Sequence, residues 1–350
     1  MNKEICFSHP EPAGKKTKVL PIFIPFLGCP SRCIYCAQHL QTGIKTRSLS
    51  QVVEELNTIL SRERMRGGKG WEVAFFGGTF TGLSPAWIER FLSVVDKFKG
   101  LGVVERVRCS TRPDFIDKEK LSLLAGEMDL IEIGVQSFDP RVLLLSRRGY
   151  SPSQAMVACE MVKEYGLDLG IQLLPGLPGF SRKGWMEDIN ITVSLSPSCV
   201  RIYPCVVLKG TELATLYGRG KYRPLEGDRA VRLVGRGVLR LWRHGIKVIR
   251  MGLHNEPLLR EAVIAGPWDP CFGSQVRSYI LSRLIYVHLI GSGLAPSSTS
   301  LICPRRFSGE IWGRGGRYRD FFKDIGMDTT RIYFEDIGSF ILYGEETPKH

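Results

Sequence analysis

The sequence contains no apolar run of the ~18 residues that a bilayer-crossing helix needs. Its opening stretch, MNKEICFSHPEPAGKK, has no apolar segment of the signal-peptide kind. A soluble protein of a reducing compartment, the cytoplasm, is therefore expected, with no membrane partner. Cysteine is too sparse for a disulfide scaffold, at ten in 350 residues. Acidic residues are in deficit, with 35 Asp and Glu against 48 Lys and Arg, which leaves a formal charge of +13. Such an excess favours an anionic partner, of which nucleic acid is the commonest. No internal repeat or low-complexity segment is present, which sets aside solenoids and disordered linkers. What the chain does have is 43% hydrophobic residues. That is enough for one large domain with an appendage, or for two domains.

The cysteines are unevenly placed. Seven are scattered, and several of those lie in apolar runs, where a buried free thiol is the expected state. The other three, Cys29, Cys33 and Cys36, crowd into 27-LGCPSRCIYCAQHL-40, with His39 three residues further on. C-x3-C-x2-C puts three thiolates on one tight loop. Three thiolates suit an iron–sulfur cluster with one iron left open. Adding His39 makes the four ligands of a structural zinc site. A redox pair formed by Cys33 and Cys36 would leave Cys29 idle. Spacing alone leaves cluster and zinc nearly even.

Around the loop, short apolar runs alternate with segments of helical periodicity. Strands are expected at 19–26, 73–78, 103–110, 130–135, 168–174 and 199–204. Helices are expected at 50–65 with Ser50 as N-cap, at 84–98 with Pro85 in the first turn, at 117–126, up to 165, and at 181–195. Sustained β–α alternation implies an α/β fold with a parallel sheet and helical crossovers. The near-continuous apolar strands imply burial on both faces. Doubly wound sheets and β/α barrels both gather their functional groups at the C-terminal ends of the strands. The cysteine loop follows the first strand. The pattern changes near residue 218. The expected domains are a lead-in at 1–17, a core at 18–220 and a smaller α+β domain at 221–350, which includes a late strand within 331–344.

Further along, the segments 76-FGGTF-80, 109-CSTRPDF-115, 131-IEIGVQSFD-139, 147-RRG-149, 171-IQLLPGLPG-179 and 202-IYPCVVLKGTEL-213 follow one another at successive strand ends. With the cysteine loop, in which Tyr35 directly precedes the third cysteine, they resemble the radical S-adenosylmethionine (SAM) superfamily. Within it they resemble the radical-SAM module of the Elongator catalytic subunit and its bacterial relatives. They resemble the oxygen-independent coproporphyrinogen III oxidases less closely. The resemblance covers roughly residues 18–225. It implies a partial (β/α)6 barrel and an enzyme. It also implies a [4Fe–4S] cluster on Cys29, Cys33 and Cys36 whose open iron chelates SAM. An external electron donor then drives cleavage of SAM to a 5′-deoxyadenosyl radical. The cofactors carry that chemistry, and the protein positions and shields them. His39 is then a neighbour of the site and not a ligand.

The resemblance also assigns roles. Gly77 and Gly78 match the glycine pair whose backbone approaches the SAM amino group, an approach helped by the missing Cβ. Thr79 stands where many members carry Glu. Gln136 matches a polar contact to SAM. Arg148 matches the arginine that meets the SAM carboxylate. Tyr35 matches a residue beside the adenine. Ser110 and Gln172 occupy positions that are acidic in the coproporphyrinogen oxidases, and with Thr79 they count among the cofactor-binding residues that the resemblance implies. Glu132 could be a site residue or a paired structural acid. Taken singly, the glycines could be a tight turn, Gln136 a helix cap and Arg148 a surface charge.

Two basic stretches lie after residue 218. Arg229, Arg232, Arg236, Arg240 and Arg243 fall on one stripe if 228–245 is helical, although Gly235 and Gly237 oppose a helix. The stretch 305-RRFSGEIWGRGGRYR-319 interleaves arginine with aromatic residues, as suits RNA phosphates and unstacked bases. Both stretches could equally be solvated surface. Elongator-type enzymes act on a wobble uridine of tRNA and carry an acetyltransferase domain, and no Gly-rich acetyl-CoA loop is found after 225. The expected substrate is tRNA or another RNA. The alternatives are a tetrapyrrole or other small molecule, and a non-catalytic metal-cluster RNA-binding protein.

Overall fold

The computed structural model describes residues 2–14, 17–24, 26–42 and 47–345. Pro25, within the expected first strand, lies outside them. Seven parallel strands form the main sheet in chain order. They are β1 (Lys18–Phe23), β2 (Trp71–Phe76), β3 (Val104–Thr111), β4 (Leu130–Gln136), β5 (Asp168–Leu173), β6 (Cys199–Ile202) and β7 (Lys247–Met251). Every neighbouring pair is parallel, and β1 and β7 are the edges of a curled half-barrel. The first six strands are the expected ones. The seventh comes from beyond the change of pattern near 218, because 247-KVIRM-251 is too short and too charged to announce itself as a buried strand.

Helical crossovers connect the strands: α1 (Leu49–Met65), α2 (Pro85–Gly100), α3 (Lys118–Leu124), α4 (Pro152–Glu164) and α5 (Arg182–Leu195). Helix α1 starts earlier than expected. Ser48, not Ser50, is the N-cap. Its Oγ accepts from Gln51 N, and Gln51 Oε1 accepts from Ser48 N, which forms a reciprocal capping box. Pro85 occupies the first turn of α2 as expected. Asp117 caps α3, and Ser181 caps α5. Between sheet and helices, Phe75, Phe80 and Phe91 are fully buried and mutually packed, with Phe75–Phe80 ring centroids 4.7 Å apart.

The chain forms two compact units that are discontinuous in sequence. One comprises residues 13–227 and 246–270 and contains the seven-stranded sheet. The other comprises residues 1–12, 228–245 and 271–350. Its sheet has four strands, in the order Asn2–Phe7, Phe340–Glu345, Ser300–Pro304, Ile332–Glu335. The segment 331–344 thus holds parts of two strands, not one, because 336–339 turns the chain. Helices α6 (Gly227–Arg243) and α7 (Phe272–Ser292) belong to this unit. The glycines of α6 do not break it. A Cβ on Gly235 would stand 2.5 Å from the Tyr279 ring of α7, so the bare backbone is what lets α7 approach. Five of the scattered cysteines, Cys109, Cys159, Cys199, Cys205 and Cys303, are buried free thiols, while Cys6 and Cys271 are exposed.

Candidate active site

A cavity of about 730 Å³ opens within the sheet-bearing unit, lined at the strand ends, and its size is that of a cofactor or ligand site. Cys29, Cys33 and Cys36 all line it. The loop that carries them is turned by backbone bonds from Cys29 N to Phe26 O and from Cys36 N to Cys33 O. Gly77 and Gly78, after β2, line it too. Both have left-handed φ, and a Cβ on Gly78 would lie 2.2 Å from Leu27 O. The glycine therefore allows the two loops to touch. Gln38, not singled out in the sequence, joins them: its Oε1 accepts from Phe26 N at 2.6 Å and from Gly78 N at 2.9 Å. Thr79 is fully buried and does not line the cavity; its Oγ1 is 3.2 Å from Cys29 Sγ.

From farther strands come Ser110, Gln136 and Gln172, from the turn before α4 comes Arg148, and from the cysteine loop itself comes Tyr35; all of them line the same cavity. Gln136 adopts φ 67°, and its Nε2 would stand 2.8 Å from a Cβ on Gly134. Arg148 is not a surface charge. It is 5% exposed and donates to Cys33 Sγ at 2.9 Å, to Gly134 O at 2.6 Å and to Tyr150 Oη at 2.8 Å. Burial opposes its charge, but Tyr150, Tyr35 and Cys33 around it hold the guanidinium protonated. Arg112, of the TRPD stretch, forks onto Asp114, donates to Arg148 O and places Nη1 3.9 Å from Cys33 Sγ. Asp114 thus holds Arg112 in addition to shaping a turn.

Gln172 Nε2 donates to Ser110 Oγ and to Glu132 Oε2, both at 3.1 Å. Glu132 is fully buried and paired with Arg108 and Arg201, at 3.3 and 2.5 Å. It is a paired internal acid beneath the cavity wall, not part of the lining. His39 is exposed, lies outside the lining, and has its ring 6.0 Å from that of Phe26. Among the described residues, no group of three or more His, Cys, Asp or Glu is drawn together for a single metal ion.

Burial and the other two thiols push Cys36 up to about 12, and burial raises Cys29. Bare, these thiols stay protonated at neutral pH and need a bound cation to become thiolates. Three thiol donors with two guanidinium groups beside Cys33 fit an iron–sulfur cluster. The donors match cluster ligation, and the arginines offset the negative charge of three thiolates.

The radical SAM superfamily profile matches residues 23–191, and the radical SAM C-terminal domain profile matches residues 197–282. An uncharacterized protein of Methanocaldococcus jannaschii is 31% identical over 232 residues, 63% of this chain and 71% of that one. The tRNA uridine(34) acetyltransferase of Methanocaldococcus infernus is 29% identical over 184 residues, 47% of this chain and 34% of that protein. The chain thus spans about a third of that acetyltransferase. Among solved structures, the archaeal Elp3 of Methanocaldococcus infernus with an N-terminal deletion shares the fold. Its TM-score is 0.59 at 19% identity, covering 82% of this chain and 71% of that one. The chain belongs to the radical SAM superfamily and is a radical SAM enzyme. Members of this superfamily normally use a [4Fe–4S] cluster and SAM.

Proposed function

We propose that Cys29, Cys33 and Cys36 hold a [4Fe–4S] cluster, that SAM binds beside it, and that the enzyme modifies a base of tRNA or another RNA in the cytoplasm. The observation that carries this reading is the lining of one cavity. It unites the three thiols with Gly77, Gly78, Gln136 and Arg148, residues that are far apart in the chain. When bound, cluster and SAM supply reductive cleavage to a 5′-deoxyadenosyl radical. The chain's own residues bind and shield. Gln38 takes the N–H of Gly78, and the backbone carbonyl oxygens of that turn are the acceptor type that the SAM ammonium would need. Arg148 and Arg112 supply positive charge where thiolates and a carboxylate gather. Gln136, folded over Gly134, presents its amide to the cavity.

The RNA part of the reading rests on charge and on the relatives. The five arginines of the stripe, Arg229, Arg232, Arg236, Arg240 and Arg243, are all exposed on α6. Among the described residues none of them is in an ion pair, so their charge is available to phosphates. A relative that matches part of the chain is a tRNA uridine(34) acetyltransferase.

The test is anaerobic reconstitution with iron and sulfide. About four irons per chain, as one cubane requires, and 5′-deoxyadenosine on reduction with SAM are expected. One zinc and no iron would overturn the cofactor reading. Mass spectrometry of tRNA nucleosides from cells with and without the protein checks the substrate. An unchanged nucleoside profile counts against RNA.

A further inference from the structure

Three strands of the sheet carry one row of polar and charged side chains along the cavity. Gln172 on β5 pairs in register with Arg201 on β6, and just past a register shift Arg201 pairs with Arg250 on β7. Residues in register on adjacent strands point to the same face. All three line the cavity, and Arg108 of β3 joins them.

The charges on this wall are mostly positive: Glu256 is the one acid among the described lining residues, and it is in no ion pair with these arginines. Arg108 and Arg201 share Glu132, and Arg108 also lies 3.6 Å from Glu72. Arg108 and Arg201 line the cavity, and neither Glu72 nor Glu132 does. Arg108 is 6% exposed, and its buried Nε has no hydrogen-bond partner. The ring of Phe76 lies under Arg108 and Arg201, with centroid distances of 5.3 and 4.9 Å. That leaves Arg250. It is half-buried, donates from Nε to Gly252 O at 3.0 Å, and has no acidic partner among the described residues. Burial and the neighbouring Arg201 work against its charge and Tyr203 supports it, with a net downward shift. His254, on the same wall, is likewise held towards its neutral form by burial, Arg250 and Arg201. A desolvated cation beside another cation is costly unless an anion completes the site.

We propose that Arg201 and Arg250, supported by Arg108 and Gln172, form an anion site that takes a phosphate group of the substrate. Strands β6 and β7 lie at the opposite edge of the sheet from β1, which leads into the cysteine loop. A phosphate held there anchors the nucleotide while its base faces the radical chemistry. The choice of phosphate rests on the RNA reading above; the existence of an anion site rests on the charges alone. Guanidinium forks in a row suit tetrahedral oxyanions, which accept several N–H donors at once.

The experiment is calorimetric titration of the anaerobically reconstituted enzyme, with SAM present, using uridine 5′-monophosphate, uridine, inorganic phosphate and a small tetrapyrrole carboxylate. Uridine 5′-monophosphate is expected to bind at least about tenfold more tightly than uridine, since one charge-assisted hydrogen bond contributes about that much. Inorganic phosphate should compete with it. Arg250→Gln, which leaves the Glu132 pairing intact, should weaken the nucleotide about tenfold and leave uridine unchanged. Arg250→Lys should restore part of the affinity. Equal affinity for nucleotide and nucleoside, unaffected by Arg250→Gln, overturns the anion site even if tRNA binds and is modified. Tight carboxylate binding with no phosphate binding overturns the choice of phosphate. Phosphate binding without any tRNA binding leaves the anion site standing and removes the RNA reading.

Discussion

Arg148 Nη1 donates to Cys33 Sγ at 2.9 Å across 115 residues of chain. The same guanidinium holds Gly134 O and Tyr150 Oη. One buried side chain therefore connects the cysteine loop, the end of β4 and the turn before α4. Its removal should act on structure and site together. Arg148→Met is expected to destabilise the sheet-bearing unit by roughly 2–4 kcal/mol, because buried acceptors lose a charged donor. Arg148→Lys, which keeps the charge and loses the fork, should cost less stability while still lowering 5′-deoxyadenosine production about tenfold or more. Thermal unfolding and single-turnover SAM cleavage separate the two effects. Equal activity in both variants and the parent would remove Arg148 from the site.

Gly78 offers a sharper steric test. Its φ is +58°, and an added Cβ would meet Leu27 O at 2.2 Å and Ile24 O at 2.6 Å. Backbone cannot swing away as a side chain does. Gly78→Ala should cost about 2 kcal/mol or more and break the Gln38 bridge between the two loops. Iron content after reconstitution should fall with it. Gly102→Ala, at another left-handed position with open space around it, controls for backbone strain alone and should retain iron.

The turn after Gln136 is held by Asp188, which accepts from Phe138 N at 2.6 Å and from Ser137 Oγ. Burial pushes the Asp188 carboxyl up from 3.8 to about 7, against the pull of those two donors. Between about pH 4 and 7 the folded chain keeps a proton that the unfolded chain has released. The Asp188 contribution to stability therefore falls as pH rises through that window, and it is level above it. Asp188→Asn should flatten this part of the stability–pH curve. Denaturant titrations at pH 5, 6 and 8 measure it, and a parent slope that survives the substitution would assign the effect elsewhere.

His9, in the other unit, should act in the opposite sense. Its ring packs against Phe307 and Trp242 at 4.8 and 5.2 Å. Burial lowers it to about 4 from 6.5, with Arg277 and Arg306 adding to the shift and Glu11 opposing it. The unfolded chain then binds the extra proton between about pH 4 and 6.5, so this contribution is lost as pH falls through that window. His9→Phe should remove that slope, read by the unfolding of probes in residues 271–345.

The arginine stripe on α6 gives a salt-dependent prediction. Replacing Arg232, Arg236 and Arg240 together by Ala should weaken tRNA binding. It should also lower the slope of log affinity against log salt by up to about 2–3, since each phosphate that an arginine neutralises adds nearly one. Helix content should be unchanged, because all three side chains are exposed. An unaltered slope would return the stripe to an ordinary solvated face.

Much of the molecule follows from local sequence. Alternating apolar runs and capped helices determine six parallel strands, because both-face burial and helical periodicity are properties of short segments. The spacing of Cys29, Cys33 and Cys36 and the Gly77–Gly78 turn are local too. Only the tertiary structure decided what depends on distant partners. Strand β7 is polar in part, and becomes a strand because β6 offers it an edge. Residues 2–7 are a strand because residues 340–345 return beside them. His39 falls outside the cavity, while Gln38, one residue earlier, ties two loops together. Glu132 could be settled as a structural acid only once Arg108 and Arg201 came from other strands to meet it. The same pairing left Arg250 next to Arg201, with no acidic partner of its own among the described residues. Charge balance inside a protein is set by three-dimensional neighbours in a low dielectric, and no linear pattern of residues records which of them will meet.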